Sequence, residues 1–192
     1  HGEMGNAQRK PPEPSWQNRR RNMTDIKLVI LGDRSIGKTC CFHRLSKDSW
    51  PGDYMQSIFE NSVRIVRFRS EDESEDREIP VSFFDTGAQS KWLPEIQEHC
   101  PQVPFIVVAL KVDDNEEKRF SQHENHGLPI SAEEGEALAR TIDACGYSEM
   151  SSLTGENAGR TLDLAVQAAV MGKELEFRSQ PVALAVLTKA AR

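Results

Sequence analysis

The chain has 192 residues, enough for one α/β domain with a tail and for a core that needs no disulfide or metal staple. Its 24 basic side chains stand against 30 acidic ones, a balance that argues against wholesale nucleic-acid binding. The four cysteines show neither paired metal-ligand spacing nor a disulfide framework, and no apolar run reaches the ~20 residues of a membrane span.

Residues 1–24 hold three prolines and almost no aliphatic side chains, a composition that cannot offset its own ordering entropy, so a flexible basic tail is expected. Arg19, Arg20 and Arg21 read first as a solvated linker and second as a weak anionic-surface or nuclear-import patch. IKLVIL (26–31) is a short β-branched run of the kind found in buried parallel strands. It enters a glycine-rich turn and then a helical stretch, KTCCFHRLSKD (38–48), where adjacent Cys40 and Cys41 read as reduced cytosolic thiols. SVRIVRF (62–68) and EIPVSFFD (78–85) read as a hairpin with a charged turn, EDESEDR. KWLPEIQEHC (91–100) is a predicted helix with Pro94 in its first turn, followed by an apolar strand, PFIVVAL (104–110). Ser131 and Glu134 form a capping box before the helix AEEGEALARTIDAC, a short strand YSEMS (147–151) follows, and a last helix is predicted over Glu156–Glu174. SQPVALAVLTKAAR shows no clear period and predicts no element. Strands alternating with helices give an α/β fold with a mostly parallel sheet covered on both faces. The organisation expected is a tail (1–24), one domain (25–175) and an unassigned extension (176–192).

Gly32-Asp33-Arg34-Ser35-Ile36-Gly37-Lys38-Thr39 satisfies the Walker A pattern between a strand and a helix, where that pattern has a mechanism. Glycine allows successive backbone N–H groups to turn inward around phosphate oxygens, and the helix N-terminus adds partial positive charge. Lys38 is placed to reach the β- and γ-phosphates, with Thr39 as a Mg²⁺ ligand and Cys40 beside it.

Beyond this loop the motif order resembles the Rho branch of the Ras superfamily of small GTPases over roughly residues 26–172. WPGDYMQSIFENS (50–62) is similar to the first switch of that family, and FFDTGAQ, ending at Gln89, to its Asp-Thr-Ala-Gly-Gln motif. KWLPEIQEHCPQVPFIVVALKVDD (91–114) resembles its third helix, fifth strand and base-recognition motif; residues 114–128 fall where it carries an insert helix. SSLTGENAGRTLDLAVQAAV resembles its last strand, loop and helix.

The resemblance implies a Ras-like P-loop domain that binds GTP and GDP with Mg²⁺. It implies Trp50 edge-on to guanine, Ser57 as a Mg²⁺ ligand sensing the γ-phosphate, Asp85 holding Mg²⁺ through water, and Gln89 orienting the attacking water. Lys111 and Asp113 would recognise guanine, whose N1–H and N2–H₂ suit a carboxylate as adenine does not, and the Ser152 N–H would meet O6. Taken alone, Trp50 reads equally as a core aromatic, and Asp113 as a loop carboxylate.

Four departures qualify what is carried over. Arg34 replaces a small glycine against the γ-phosphate, Gly87-Ala88 reverses the Ala-Gly pair, and Leu110 replaces the Asn or Thr that braces the base motif. Only Ser90 lies between Gln89 and Lys91, where the family has its second switch and an interior strand. Either PFIVVAL closes beside IKLVIL, or the sheet is marginal. Hydrolysis is expected to be slow. A nucleotide switch controlling actin and cell shape through effectors, exchange factors and activating proteins is the leading expectation. A non-hydrolysing partner-binding module is the alternative, and an adenine-specific P-loop enzyme leaves Lys111, Asp113 and FFDTGAQ unexplained. The ending Lys189-Ala190-Ala191-Arg192 carries no C-a-a-X box, so a cytoplasmic protein, transient at membranes and without a stable anchor, is expected.

Overall fold

A computed structural model of the chain describes residues 25–52, 60–69, 76–87, 92–113, 131–174 and 182–189. The sheet begins with β1 (Ile26–Gly32), whose pleat sends Ile26, Leu28 and Ile30 to one face and Val29 and Leu31 to the other. Helix α1 (Lys38–Lys47) follows after a five-residue loop and packs Cys41, Phe42 and Leu45 against the first face. It stops at Asp48, whose left-handed conformation (φ 50°) lets the cap N–H meet the Arg44 and His43 carbonyls.

The expected hairpin is present: β2 (Asn61–Phe68) runs antiparallel to β3 (Arg77–Asp85), and β3 pairs in parallel with β1. Helix α2 (Trp92–His99) covers the opposite face, where Ile96 packs with Leu31 and Phe105. All six residues of β4 (Phe105–Leu110) are buried, as a strand covered on both sides must be. The Ser131–Glu134 capping box forms at the start of α3 (Ala132–Thr141), with Glu134 N–H donating to Ser131 Oγ at 3.2 Å and Ser131 N–H to Glu134 Oε2 at 2.7 Å. This helix ends four residues earlier than its sequence predicts, because Asp143 turns left-handed (φ 60°) and the chain heads into β5 (Tyr147–Met150). Helix α4 (Ala158–Glu174) starts after another such turn, Gly155 (φ 83°) and Asn157 (φ 56°), and buries Leu162, Ala165, Val166, Ala168 and Ala169.

The chain then returns to the middle of the sheet. β6 (Val182–Lys189) pairs in parallel with β1 on one side and with β4 on the other, giving the order β2-β3-β1-β6-β4-β5. The expectation that PFIVVAL closes beside IKLVIL is therefore corrected, since β4 and β1 are separated by a strand from the stretch the sequence leaves unassigned. Two buried parallel strands each need a partner for their backbone N–H and C=O groups, and β6 supplies both. Helix α4, ~25 Å long at 1.5 Å per residue, passes from the edge strand β5 across β4 and β6 to reach α1 and β1.

Gly135 of α3 lies so close to β5 that an added Cβ would meet the Tyr147 ring. Gly135→Ala is expected to cost about 1–3 kcal/mol by overpacking, read as a lower midpoint in thermal unfolding.

Candidate functional site

At the carboxyl end of β1 the chain coils through five residues before α1 begins. Gly32 (φ 148°), Ser35 (φ 61°) and Gly37 (φ 111°) have positive φ, and Ile36, 2% exposed, pins the loop to the core. Gly37 is the N-cap of α1, and among the described residues no side chain caps that end. Lys38 folds back over the loop, donating from Nζ to the Gly32 carbonyl at 2.9 Å and the Asp33 carbonyl at 2.7 Å. Burial lowers its ammonium from the usual lysine range, against the pull of Asp85 and Asp33. A phosphate group at this point would relieve that desolvation.

Beneath the loop, Thr39 Oγ1 donates to Asp85 Oδ2 at 2.7 Å, joining the first turn of α1 to the last residue of β3. Asp85 N–H donates to the Glu60 carbonyl at 3.1 Å, and Thr86 Oγ1 to the Ile30 carbonyl at 2.6 Å. Asp85 Oδ1 is buried and has no hydrogen-bond partner among the described residues. Burial raises the Asp85 carboxyl above the usual carboxylate range, opposed by the Thr39 hydroxyl and by Lys38. A buried carboxylate oxygen without a partner beside a threonine hydroxyl fits Mg²⁺, a hard cation that takes one or two protein oxygens and completes its shell with phosphate and water. Among the described residues no group of three His, Cys, Asp or Glu side chains could hold a metal by itself.

The Asp85 shift has a testable sign. Between the ordinary carboxylate value and the raised one, the folded chain keeps a proton that the unfolded chain has lost. Stability of the nucleotide- and metal-free protein therefore falls as pH rises through that window. Asp85→Asn is expected to flatten this slope and to raise the empty chain's midpoint at neutral pH, while weakening Mg²⁺-dependent nucleotide binding. Thermal unfolding against pH checks the first part, and titration with and without Mg²⁺ the second.

The other half of the site comes from β4 and β5. Leu110 is 2% exposed, with Cδ1 3.3 Å from where a Cβ on Gly37 would stand, so an apolar side chain packs against the phosphate loop. Lys111 then turns left-handed (φ 64°) and leads to half-buried Asp113. Lys111 is near enough to Cys40 to lower its thiol pKa, although burial, the larger effect, raises it. After β5 a tight turn is held by Ser151, which accepts at its carbonyl from Gly155 N–H (3.0 Å) and at Oγ from Thr154 N–H (3.0 Å). Ser152, next in line, is 7% exposed, and its Oγ is buried without a partner among the described residues. Trp50, beyond the C-cap of α1, is 41% exposed, which removes the core-aromatic reading.

The structure thus brings Gly32–Cys40, Asp85, Lys111, Asp113 and Ser152 to the carboxyl ends of β1, β3, β4 and β5, the edge at which open parallel sheets bind ligands. Arg34 and Asp33 lie exposed on the loop. Ser57, Ala88 and Gln89 lie outside the described residues. Arg44 of α1 escaped the sequence reading: it donates to the carbonyls of Ser152 and Leu153, both at 2.9 Å. Nothing in the residues around Arg44 signals these partners, which lie 108 and 109 positions away in the chain.

A glycine loop between a buried strand and a helix, a lysine folded over it and a threonine–aspartate pair beneath it define a P-loop nucleotide-binding protein of the α/β class. The sequence model of the Ras family matches residues 27–91 and 82–171, well over half of the chain. The chain belongs to the Ras family, the small GTP-binding switch proteins that take GTP and GDP with Mg²⁺, hydrolyse GTP, and act through regulators and effectors. Its two matched segments overlap at 82–91, the stretch that contains the Gln89–Lys91 junction.

Proposed function

We propose that the chain is a switch of the Rho type that turns GTP over slowly in the cytoplasm, with transient visits to membranes and control of actin and cell shape. The observation that carries the nucleotide site is the Thr39–Asp85 hydrogen bond, with Lys38 folded over the loop above it. Mg²⁺, held by Thr39 and Asp85 with Ser57, would neutralise charge on the β- and γ-phosphates. The loop N–H groups from Asp33 to Lys38 bind phosphate oxygens, and the Lys38 ammonium holds the β- and γ-phosphates in register. Asp113 and the Ser152 N–H select guanine, Trp50 flanks the base, and Gln89 orients water for attack on the γ-phosphate. Rho-type assignment rests on the likeness of residues 50–62 and 91–114, and the missing second switch on the single residue, Ser90, between Gln89 and Lys91.

Thermal unfolding of the nucleotide-stripped chain with Mg²⁺ and GDP, GTP, ATP or nothing tests the site. A ligand at a hundred times its Kd stabilises by ~2.7 kcal/mol, which moves the midpoint of a domain this size by roughly 5–11 °C. A shift with GDP and GTP but not ATP is expected; indifference to all three overturns the reading.

A second reading, a non-hydrolysing partner-binding module, is favoured by Arg34, which is exposed on the loop where the attacking water must approach. Arg34→Gly is expected to raise the single-turnover hydrolysis rate at least about tenfold, a barrier change of ~1.4 kcal/mol. No rate above background in either form, with GTP bound, selects the module.

A further inference from the structure

The turn after β5 is gripped by a side chain from the helix that opens at the phosphates. Arg44 stands on α1, six residues beyond Lys38, with only 12% of its side chain exposed. Nε donates to the Ser152 carbonyl and Nη2 to the Leu153 carbonyl, both at 2.9 Å, so the planar fork holds two successive peptide groups at once. Nη1 reaches Asp48 at its carbonyl (3.3 Å) and at Oδ1 (3.4 Å), which ties the same guanidinium to the C-cap of α1, two residues before Trp50. One cation therefore links the helix behind the phosphate loop, the turn expected to read the base and the segment leading to the aromatic expected beside it.

Peptide planarity turns this grip into a statement about direction. The carbonyl of one residue and the N–H of the next lie in one plane and point opposite ways. The Ser151 carbonyl is engaged by Gly155 N–H, which fixes the plane carrying the Ser152 N–H. Arg44 fixes the next two planes, those of the Leu153 and Thr154 N–H groups. The Ser152 Oγ, buried and without a hydrogen-bond partner among the described residues, lies in this same turn.

We propose that Arg44 is a positioning residue for base recognition, clamping the Ser152–Leu153 peptides so that the turn presents its Ser152 and Leu153 N–H groups, the Thr154 N–H being held by Ser151 Oγ, to the 6-oxo group of the purine. The inference rests on the guanine reading above. Its role would be read only at O6, because the N1–H and 2-amino group are assigned to Asp113 on a different strand.

The experiment compares GDP, 6-thio-GDP, in which a weak sulfur acceptor replaces O6, IDP, which lacks the 2-amino group, and ADP, by calorimetric titration of the full chain with Mg²⁺. Wild type, Arg44→Ala and Arg44→Lys are measured together; lysine keeps the charge and the stem but cannot hold both carbonyls, and it decides the matter if the alanine variant does not fold. GDP affinity is expected to fall roughly tenfold or more in Arg44→Ala, and less in Arg44→Lys. The GDP to 6-thio-GDP preference should collapse toward one while the GDP to IDP preference stays at its wild-type value. A lowered unfolding midpoint with both preferences unchanged overturns the inference and leaves Arg44 a structural clamp. A wild-type chain that does not prefer GDP to ADP overturns the guanine reading, and the inference falls with it.

Discussion

Removing residues 182–192 is expected to abolish cooperative unfolding and, with it, GDP binding. Among the described residues, β6 is the strand that links the half-sheet β2-β3-β1 to the half-sheet β4-β5. Its register sets Val29 opposite Leu184 and Leu31 opposite Val186 on one side, and Phe105 opposite Leu184 and Val107 opposite Val186 on the other. Without it, two strands that lie within the apolar core each present a row of unpaired backbone groups, and each buried unpaired group costs about 1–3 kcal/mol. A few of these equal the whole stability of an ordinary domain, about 5–15 kcal/mol. The phosphate loop leaves β1 and the base motif leaves β4, so the two halves of the nucleotide site would also lose their common frame.

The single-residue counterpart is Val186→Pro, which removes a ladder N–H from the middle of an interior strand and is expected to destabilise by at least about 3 kcal/mol. Circular dichroism through a thermal ramp, with and without GDP, reads both variants. A truncated chain that unfolds at the wild-type midpoint and still responds to GDP would show that β1 and β4 find each other without β6. A peptide spanning 176–192, added to the truncated chain, should restore the transition if the vacant slot survives.

The second large effect is expected at Lys38. Lys38 is buried, and its ammonium spends two of its three donors on loop carbonyls, so it shapes the loop as well as carrying charge. Lys38→Ala removes that brace and the cation nearest the phosphates, and GDP affinity is expected to drop roughly a hundredfold or more, about 2.7 kcal/mol. The midpoint of the empty chain should move far less, since burial already disfavours the ammonium in the folded protein. Calorimetric titration with GDP, beside unfolding of the empty protein, separates the two. Unchanged affinity would mean that nucleotide, if bound, does not sit in this loop.

These two predictions lean on different kinds of information. Lys38, Thr39 and the glycines around them are local: a strand, a turn with positive φ and a helix start are written within fourteen consecutive residues, 26–39. The Ser131–Glu134 capping box is local in the same sense, and so are the hairpin and the burial of β4. Asp85 could be nominated from its motif, but that its carboxylate accepts from Thr39 across 46 positions is a fact of the parallel pairing of β1 with β3.

The sequence by itself determined the phosphate loop, the alternation of strands and helices, and membership of a nucleotide-binding class. Those features depend on backbone conformations and periodicities that neighbouring residues impose on each other. Only the tertiary structure decided that VALAVLTK is the strand between β1 and β4, and that Arg44 holds the turn at Ser152. An interior parallel strand is hard to read from its own residues, because the strands it pairs with are remote in the chain. A guanidinium on a helix likewise says nothing about which carbonyls will meet it. Those partners lie 108 and 109 positions further along the chain, in the turn after β5.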